Sequence, residues 1–435
     1  MKNKFIKSTL ILIIGGLFTK ILGLIIKIVL TRQIGTTGIG MYSMIMPTFM
    51  LLNSIAGLGL PTALNVLISS NRYNSKNLVF TSILISLTID LFILIILIFY
   101  SNSLSITLFN NSKLSIGILC IGFILPFITV SNALRSYFFA KERMYPHVIT
   151  NIIEDIIRLV LIVVGVPFFI SKGIEYVVGF VLLTNVFSEL SSIIIFLILI
   201  PSFKCNKTEL RPNVKNIKAL LKIALPTTGS RIIGSIGYFL EPIILTYVLM
   251  NVGYNNNFII REYGIINGYV LQMVLLPSFF TGAISQALIP IVSKNYVNKN
   301  YTYIKKKIIQ SIIVSLIIGI PATIVFEFFP KELLNILFKT SEGTNYVKVI
   351  APICILHYIQ SPISSSLQAM GKANMSMTGT FIGMIIRTIV LFAFSYFKIG
   401  LWSLIIATSS NIIFVTLFDL YCVNKTLKKN PEFGY

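Results

Sequence analysis

Two stretches of the sequence, SYFFAKERM at residues 136–144 and SSLQAMGKANM at residues 365–375, occupy matching places in the chain. Each precedes an apolar segment in which an arginine follows two isoleucines, Arg158 in IIRLVL and Arg387 in IIRTIV. We call the separation between these two arginines the repeat offset. Shared surroundings at a fixed spacing indicate an internal repeat.

The repeat offset also relates two further features. It carries Ala140 onto Ala369, and it carries Pro61 in GLGLPTALNVLIS onto Pro290 in ISQALIPIVSKNY. Three features at one offset predict a duplicated unit, and the membrane spans given below number six in each copy. Because an even number of spans preserves the orientation of the chain in the membrane, we expect parallel repeats. Two such lobes commonly enclose a cavity and open it alternately to the two sides.

The composition predicts that these helices cross a membrane. Hydrophobic residues make up 55% of the 435 residues, charged residues make up 11%, and the mean hydropathy is +0.87. An ordinary soluble domain contains about 25% charged residues. The net charge of +22 lies mainly in short hydrophilic loops, which is typical of membrane topology and speaks against nucleic-acid binding.

A helix needs about 20 apolar residues to cross the hydrocarbon core. The sequence therefore predicts an all-α integral membrane protein with about twelve transmembrane helices in two pseudo-symmetric six-helix lobes. The predicted spans are residues 6–31, 40–69, 78–100, 114–139, 148–170, 174–200, 217–250, 263–293, 308–329, 346–370, 374–397 and 400–423. Of the 36 Lys and Arg residues, 22 lie in one set of alternate loops and 8 in the other. The positive-inside rule then predicts that both termini are cytoplasmic.

The predicted spans also define the predicted domains. These are an N-terminal lobe (1–200), a basic cytoplasmic linker (201–216), a C-terminal lobe (217–424) and a short cytoplasmic tail (425–435). The first apolar segment shows no small-residue cleavage site, so we interpret it as a retained helix and not as a signal peptide. The hydrophilic loops between the predicted spans are short, so we expect no soluble domain that could hold an enzyme.

Charged residues inside apolar spans are costly and often functional. Residues 229–245, GSRIIGSIGYFLEPIIL, contain Arg231 and Glu241 in the seventh span. Ten residues of helix rise about 15 Å and turn about 280°, so these side chains cannot pair directly on a regular helix. Pro226 and Pro242 each remove a backbone donor, and a helix interrupted twice around a cation is typical of transporters.

Three other cations are candidates for an anion-binding cavity. Lys20 and Lys27 are seven residues apart and share nearly one face of the first span; snorkelling to the surface is the alternative for Lys27. Arg387 has no acidic residue in its own span. Its partner must therefore come from another helix, from water or from a substrate anion.

A fourth candidate cation, Arg158, shares its span with two acidic residues. Glu154 and Asp155 lie four and three residues before it, so all three can meet on one helical face. The cluster either neutralises itself and helps the helix to pack, or contributes to the cavity. Arg135 and Asp419 lie near the ends of their spans, and we interpret both as interfacial.

Asp90 and Glu189 stand alone in spans 3 and 6. A protonated carboxyl costs far less in the membrane than an ionised one, so either residue could serve ion coupling, as could Glu241. The alternative is a neutral carboxyl that hydrogen-bonds two helices.

The four cysteines and two histidines show no metal or disulfide spacing. No catalytic motif is present, so the sequence predicts no catalytic residue, no metal site and no cofactor.

Five segments carry a resemblance to a known family. They are KILGLIIKIVLTRQIGTTGIGMYSMIMP, GLGLPTALNVLIS, IALPTTGSRIIGSIGYFLEPIIL, YGIINGYVLQMVLLPSFFTGAISQALIPIVS and SLQAMGKANMSMTGTFIGMIIR. In order and spacing they resemble the stage V sporulation protein B family over nearly the whole chain. That family belongs with lipid II flippases, oligosaccharide flippases and multidrug and toxic compound extrusion (MATE) transporters in one exporter superfamily.

The resemblance implies a MATE-like transporter with a central cavity that opens alternately to the two sides. The implied function is a flippase for an anionic lipid-linked saccharide, a peptidoglycan precursor used in spore cortex synthesis. Arg231 would then be a cavity cation, and Lys20 and Lys27 would take the place of the basic residues of the flippases. The implied partners are a lipid-linked saccharide pyrophosphate and membrane lipids, with H⁺ or Na⁺ and cell-wall synthases as further candidates. The implied location is the bacterial cytoplasmic membrane or the outer forespore membrane.

Two departures from the relatives keep alternatives open. Better-known lipid II flippases carry two extra helices, whereas we count twelve. Many drug exporters carry an acidic residue in span 1, or an acidic pair in spans 7 and 10, of which only Glu241 is present here. The alternatives are a cation-coupled multidrug antiporter that uses Glu241, Asp90 or Glu189, an exporter of another lipid-linked oligosaccharide, and a membrane scaffold that recruits wall synthases.

Overall fold

The computed structural model describes residues 2–70, 73–200 and 213–428, and every regular element in those ranges is helical. The helices are α1 (Lys2–Ala56), α2 (Leu60–Ser69), α3 (Ser75–Phe109), α4 (Ser115–Ala140), α5 (Tyr145–Ile170), α6 (Ile174–Leu199), α7 (Val214–Asn251), α8 (Asn256–Gly264), α9 (Leu271–Val274), α10 (Ser278–Val297), α11 (Tyr301–Phe328), α12 (Pro330–Phe338), α13 (Thr344–Ala369), α14 (Ala373–Ser395) and α15 (Trp402–Lys428). A π-helical segment joins α8 to α9.

Within the described ranges, nine helices are long and apolar enough to cross a membrane. A tenth span is the pair Asn256–Val274 and Ser278–Val297, which bends by 54°. The run Phe18–Ser69 contains predicted spans 1 and 2, since its backbone leaves the helical region at Gly35 (φ 66°). The 26 residues of α5 are also enough for a span, although this helix carries three charged residues, Glu154, Asp155 and Arg158. The twelve-span all-α membrane fold is therefore confirmed.

The helix boundaries repeat with the period found in the sequence. Both ends of α13 lie at the repeat offset from the corresponding ends of α4, and so do the last residues of α6 and α15, Leu199 and Lys428. The neighbours repeat as well: α6 packs on α4 and α5, and α15 packs on α13 and α14. The duplication of a six-helix unit is thus visible in the positions of the helices.

By their internal contacts the residues form two compact units, Met1–Thr246 and Tyr247–Tyr435. The predicted linker at 201–216 lies outside the described residues except for its last four positions, and the predicted tail lies outside beyond residue 428. The predicted lobe boundary at residue 217 concerns the transport lobes and stays a prediction.

The first unit includes most of α7 because the start of that helix packs on α2 and α3. Leu220 and Ala224 are fully buried in a core cluster with residues of α2, α3, α4 and α6. One turn before Leu220, the Asn216 side-chain amide donates to Asn77 Oδ1 of α3 at 2.6 Å. This contact fixes the entry of α7 into the first unit.

Gly59 allows α2 to approach α7 closely. It caps the N-terminus of α2 with φ 58°, in the left-handed region that favours glycine. A Cβ atom at this position would lie 2.1 Å from Thr227 Oγ1 and 2.6 Å from the Ala224 carbonyl oxygen. Arg231 follows Thr227 by one helical turn, so the glycine contact helps to set the place of that cation.

The second unit has its own apolar core. Its buried cluster brings together residues of α10, α11, α13 and α15, namely Leu288, Val292, Ile304, Ile308, Ile363, Leu367, Met370, Cys422 and Val423. The C-terminal halves of α13 and α15 supply four of these nine residues, α10 and α11 supply another four, and Met370 directly follows α13.

Candidate functional site

The seventh span places Arg231 and Glu241 in different environments. The backbone of α7 remains helical through Pro226 and Pro242, so the two predicted interruptions are missing hydrogen bonds and not breaks in the helix. The Arg231 side chain is exposed, and its Nη2 donates to Thr62 Oγ1 of α2 at 3.1 Å. Glu241 is 5% exposed. In the described part of the chain Arg231 and Glu241 do not pair with each other, as the helical geometry predicts.

The two lysines of α1 are exposed. Lys20 and Lys27 both lie in the apolar run Phe18–Ser69. Together with Arg231 they give the first unit three cations that are accessible and yet located within membrane spans. A cation at such a position is stable when it faces water or an anion, because hydrocarbon does not solvate it.

A buried ionic cluster joins α4 and α5 of the first unit. Glu154 Oε2 lies 3.3 Å from Arg135 Nη2, and Glu154 Oε1 lies 3.3 Å from Arg158 Nη2. Arg158 Nη1 is 3.7 Å from Asp155 Oδ1, and the Ser192 hydroxyl of α6 donates to Glu154 at 3.1 Å. The interpretation of Arg135 as an interfacial residue is therefore wrong, since its guanidinium pairs with a carboxylate of the next helix.

Glu189 adds a third acidic side chain to this cluster. It is 8% exposed on α6, and it interacts with Arg135, Glu154 and Arg158 and lies beside the Ser131 hydroxyl. The residue is alone in its own span but not in space. Nothing in the sequence of α6 signals this contact, because the partners come from two other helices.

Asp90 is fully buried in α3. The Thr129 hydroxyl of α4 donates to Asp90 Oδ2 at 2.6 Å, whereas Oδ1 has no hydrogen-bond partner within the described residues. The structure thus contains the hydrogen bond between helices on which the structural alternative depends, and a role of Asp90 in ion coupling stays a prediction.

Arg387 is half-buried on α14. It follows Gly379 and Gly383 at intervals of four residues, and both glycines approach α15: Cβ atoms there would lie 2.5 Å from Phe418 Cδ1 and 2.4 Å from Val415 Cγ2. Arg387 therefore lies on the side of α14 that packs on α15. The position corresponds to Arg158 in the first unit, but the acidic residues that precede Arg158 have no counterpart on α14.

Asp419 corrects a second interpretation. Its side chain is fully buried on α15 and is not interfacial. Both of its carboxylate oxygens lack a hydrogen-bond partner within the described residues. No group of three or more His, Cys, Asp and Glu side chains suited to a metal ion occurs in the described ranges.

Comparison with known proteins places this architecture in a family. The sequence profile of the polysaccharide biosynthesis protein family matches residues 5–296, about two thirds of the chain. The chain belongs to the polysaccharide biosynthesis protein family. The MatE profile matches residues 242–393 as well.

Individual relatives of this family member cover nearly the whole chain. It is 30% identical to "Stage V sporulation protein B" of Bacillus subtilis over 441 aligned positions, which cover 98% of this chain and 85% of the relative. It is 20% identical to "Lipid II flippase MurJ" of the same organism, with 90% of this chain and 77% of the relative covered. Both matches extend over nearly the whole of this chain and are not confined to one segment.

Among solved structures, the inward-facing conformation of a multidrug resistance MATE family transporter has a TM-score of 0.76 to this structure. The sequence identity is 14%, and the match covers 96% of each chain. At this identity the match shows the fold, which is the MATE-like fold expected from the sequence. By their names, two of these proteins are a lipid II flippase and a multidrug resistance transporter, and neither is an enzyme.

Proposed function

We propose that this protein is an alternating-access flippase for an anionic lipid-linked saccharide, and that the saccharide is a peptidoglycan precursor used in spore cortex synthesis. The observation that carries the proposal is the exposure of Lys20, Lys27 and Arg231 within spans of the first unit. The relatives of known name support it, since they are a sporulation protein and a lipid II flippase.

A pyrophosphate is the type of group that these three side chains can hold. Arginine and lysine bind phosphate through charge-assisted hydrogen bonds, which are about twice as strong as neutral ones. The Arg231 guanidinium uses Nη2 to donate to Thr62, which orients the side chain and leaves other N–H groups for an anion. The lipid tail of the substrate would remain in the bilayer while the head group contacts the cations.

The two remaining candidate cations have weaker claims on the substrate. Arg158 shares its charge with Glu154 and Asp155, so an anion would have to compete with carboxylates. Arg387 lies in the second unit and is half-buried. We assign Arg387 to a second contact of the head group and Arg158 to the integrity of the first unit.

Transport by this mechanism needs no covalent chemistry. A ligand shifts a conformational equilibrium only by its difference in affinity for the two states. A pyrophosphate that binds tightly in one state and weakly in the other would therefore be enough for transport. Binding of H⁺ or Na⁺ at Glu241, Asp90 or Glu189 would make the transport run in one direction. We place the protein in the bacterial cytoplasmic membrane or the outer forespore membrane, with both termini in the cytoplasm.

The proposal is tested by removing one charge. Arg231→Ala should lower flipping of a fluorescent lipid-linked pyrophosphate saccharide in proteoliposomes by about 10-fold or more, because a hydrogen bond to a charged group contributes about 1.5–3 kcal/mol. Arg231→Lys should retain part of the activity. A matched control is Arg261→Ala, which removes an exposed arginine that pairs with Glu342.

The same variants should be scored for rescue of a flippase-null bacterial strain. Full activity of Arg231→Ala in both assays would contradict the cavity assignment. Equal losses in Arg231→Ala and Arg261→Ala would indicate a general effect on stability and would contradict it as well.

A second function, export of cationic drugs coupled to an ion, is favoured by one observation. The MatE profile matches residues 242–393, and Glu241, a buried carboxyl, lies just before this range. If this function holds, cells that express the protein should extrude a cationic dye, and Glu241→Gln should abolish the extrusion. Dye retention equal to that of cells without the protein would exclude it.

A further inference from the structure

Asp419 and Glu189 occupy corresponding places in the two repeated units. The repeat offset carries Glu189 of α6 onto Phe418 of α15, and Asp419 is the next residue along the chain. Each carboxyl faces two helices that its own helix packs against: Glu189 meets residues of α4 and α5, and Asp419 meets α13 and α14. Both units thus carry a buried carboxyl at about the same level of the sixth helix, one residue apart in register.

The charges around the two carboxyls differ. In the first unit, Glu189 interacts with Arg135 and Arg158. The repeat offset carries Arg135 onto Ser364 and carries Glu154 onto Gly383. One of the two arginines beside the first carboxyl, Arg135, is therefore replaced by a hydroxyl in the second unit, whereas Arg158 corresponds to Arg387.

The immediate surroundings of Asp419 are small and neutral. A Cβ atom on Gly379 of α14 would lie 3.4 Å from Asp419 Oδ1. The Ser364 hydroxyl of α13 lies beside the carboxyl and is 2.6 Å from the Ser376 hydroxyl of α14. Neither carboxylate oxygen makes a hydrogen bond of standard geometry within the described chain.

Few titratable groups lie near Asp419. On α15 itself, the Cys422 thiol is one turn away and interacts with the carboxyl, and Lys425 is six residues further along the chain. On α14, Arg387 is eight residues beyond Gly379, or about 12 Å along the axis. On α13, His357 lies seven residues before the serine that faces Asp419, and it hydrogen-bonds Gln360 at 3.2 Å. In the described residues, Asp419 forms no ion pair that could stabilise its negative charge.

We propose that Asp419 is a proton-binding site of the second unit, held as a neutral carboxylic acid between α13, α14 and α15. An unpaired ionised carboxylate in an apolar interior costs several kcal/mol, and protonation removes that cost. The acidic proton can be donated to the Ser364 hydroxyl, which can in turn donate to Ser376. Glu189 would differ because two arginines share its cluster.

The inference goes beyond the transport proposal and does not depend on the transported substrate. It assigns to the second unit a bound proton at a residue that the transport proposal does not name. A sodium ion could compete with the proton for this site. The Asp419, Ser364 and Ser376 side chains offer few oxygens for sodium, and the experiment below distinguishes the two ligands.

The sequence offers a direct experiment because it contains three aspartates in all, Asp90, Asp155 and Asp419. Cell-free synthesis with [4-¹³C]aspartate labels these side chains, and ¹³C NMR of the full-length protein in lipid nanodiscs reports their protonation. Asp419→Asn assigns the signal of interest, with Asp90→Asn and Asp155→Asn as matched controls. Should Asp419→Asn fail to fold, the two control variants still assign the third signal by elimination in the otherwise native chain.

At pH 7, in buffers that contain N-methyl-D-glucamine as the cation, we expect the Asp419 signal at the position of a neutral carboxylic acid. We expect no change when sodium is added in large excess over the protein. A signal of the ionised form under both conditions would overturn the inference. If the signal moves from the neutral to the ionised position when sodium is added, the carboxyl binds sodium in place of the proton. That result would overturn the inference too.

Discussion

Substitution of Gly59 by alanine should weaken the contact between α2 and α7. The residue is buried at the start of α2 with φ 58°, and the added methyl group would lie 2.1 Å from Thr227 Oγ1 and 2.6 Å from the Ala224 carbonyl oxygen. Both distances are far inside van der Waals contact. The backbone carbonyl cannot rotate away, so the helices must separate.

The expected magnitude follows from two costs. A non-glycine residue in the left-handed region costs roughly 1–2 kcal/mol, and insertion of a methyl group into a packed core typically costs about 1–3 kcal/mol. Gly59→Ala should therefore lower the free energy of unfolding by about 2–5 kcal/mol, the sum of the two ranges.

The assay is thermal unfolding of the purified full-length protein in detergent, with Gly16→Ala as the control. Gly16 also lies in a helix, but a Cβ atom there meets nothing within 4 Å, so its replacement should be neutral or slightly stabilising. Thr227→Ala in the Gly59→Ala background removes the nearer of the two clashing atoms. It should restore part of the lost stability, and the double-mutant cycle should give a coupling of about 0.5–3 kcal/mol.

Two results would refute this account of the α2–α7 contact. One is a melting temperature of Gly59→Ala equal to that of Gly16→Ala. The other is strict additivity of the substitutions at Gly59 and Thr227, which would mean that the threonine hydroxyl does not meet the added methyl group.

Three further predictions concern the ionic cluster, the buried carboxyl of α3 and the topology. Glu154→Ala should destabilise the protein by about 3–5 kcal/mol in thermal or denaturant unfolding, because it leaves two half-buried arginines without their shared carboxylate. Thr129→Val should cost about 1–3 kcal/mol by removing the hydroxyl that donates to Asp90. A membrane-impermeant maleimide should label Cys205 of the predicted cytoplasmic linker in inside-out vesicles but not in intact cells, since the other three cysteines are buried.

Controls separate these effects from general damage. Glu142→Ala changes an exposed carboxyl outside the cluster and should leave stability within about 0.5 kcal/mol of the unmodified protein. A Cys205→Ser variant should lose the labelling. Labelling of the unmodified protein in intact cells would reverse the predicted orientation.

Some contacts of the charged residues can be predicted from spacing within one helix, and others cannot. The exclusion of a pair between Arg231 and Glu241 follows from helical rise and rotation alone, and the structure agrees. The contact of Arg158 with Glu154 and Asp155 also follows from spacing within one helix. Arg135 and Asp419 were misplaced because their distance from a span end says nothing about what the neighbouring helix presents to them.

The sequence by itself determined the membrane class, the number of spans and the internal repeat, because hydropathy and internal similarity are properties of the chain that do not depend on packing. The tertiary structure decided which charges meet: Glu154 with Arg135 across two helices, Arg231 with Thr62, and Asp419 with small neutral neighbours. The physical reason is that such contacts depend on the rotation and separation of packed helices. Side-chain fit sets both quantities, and one methyl group at Gly59 would be enough to change them.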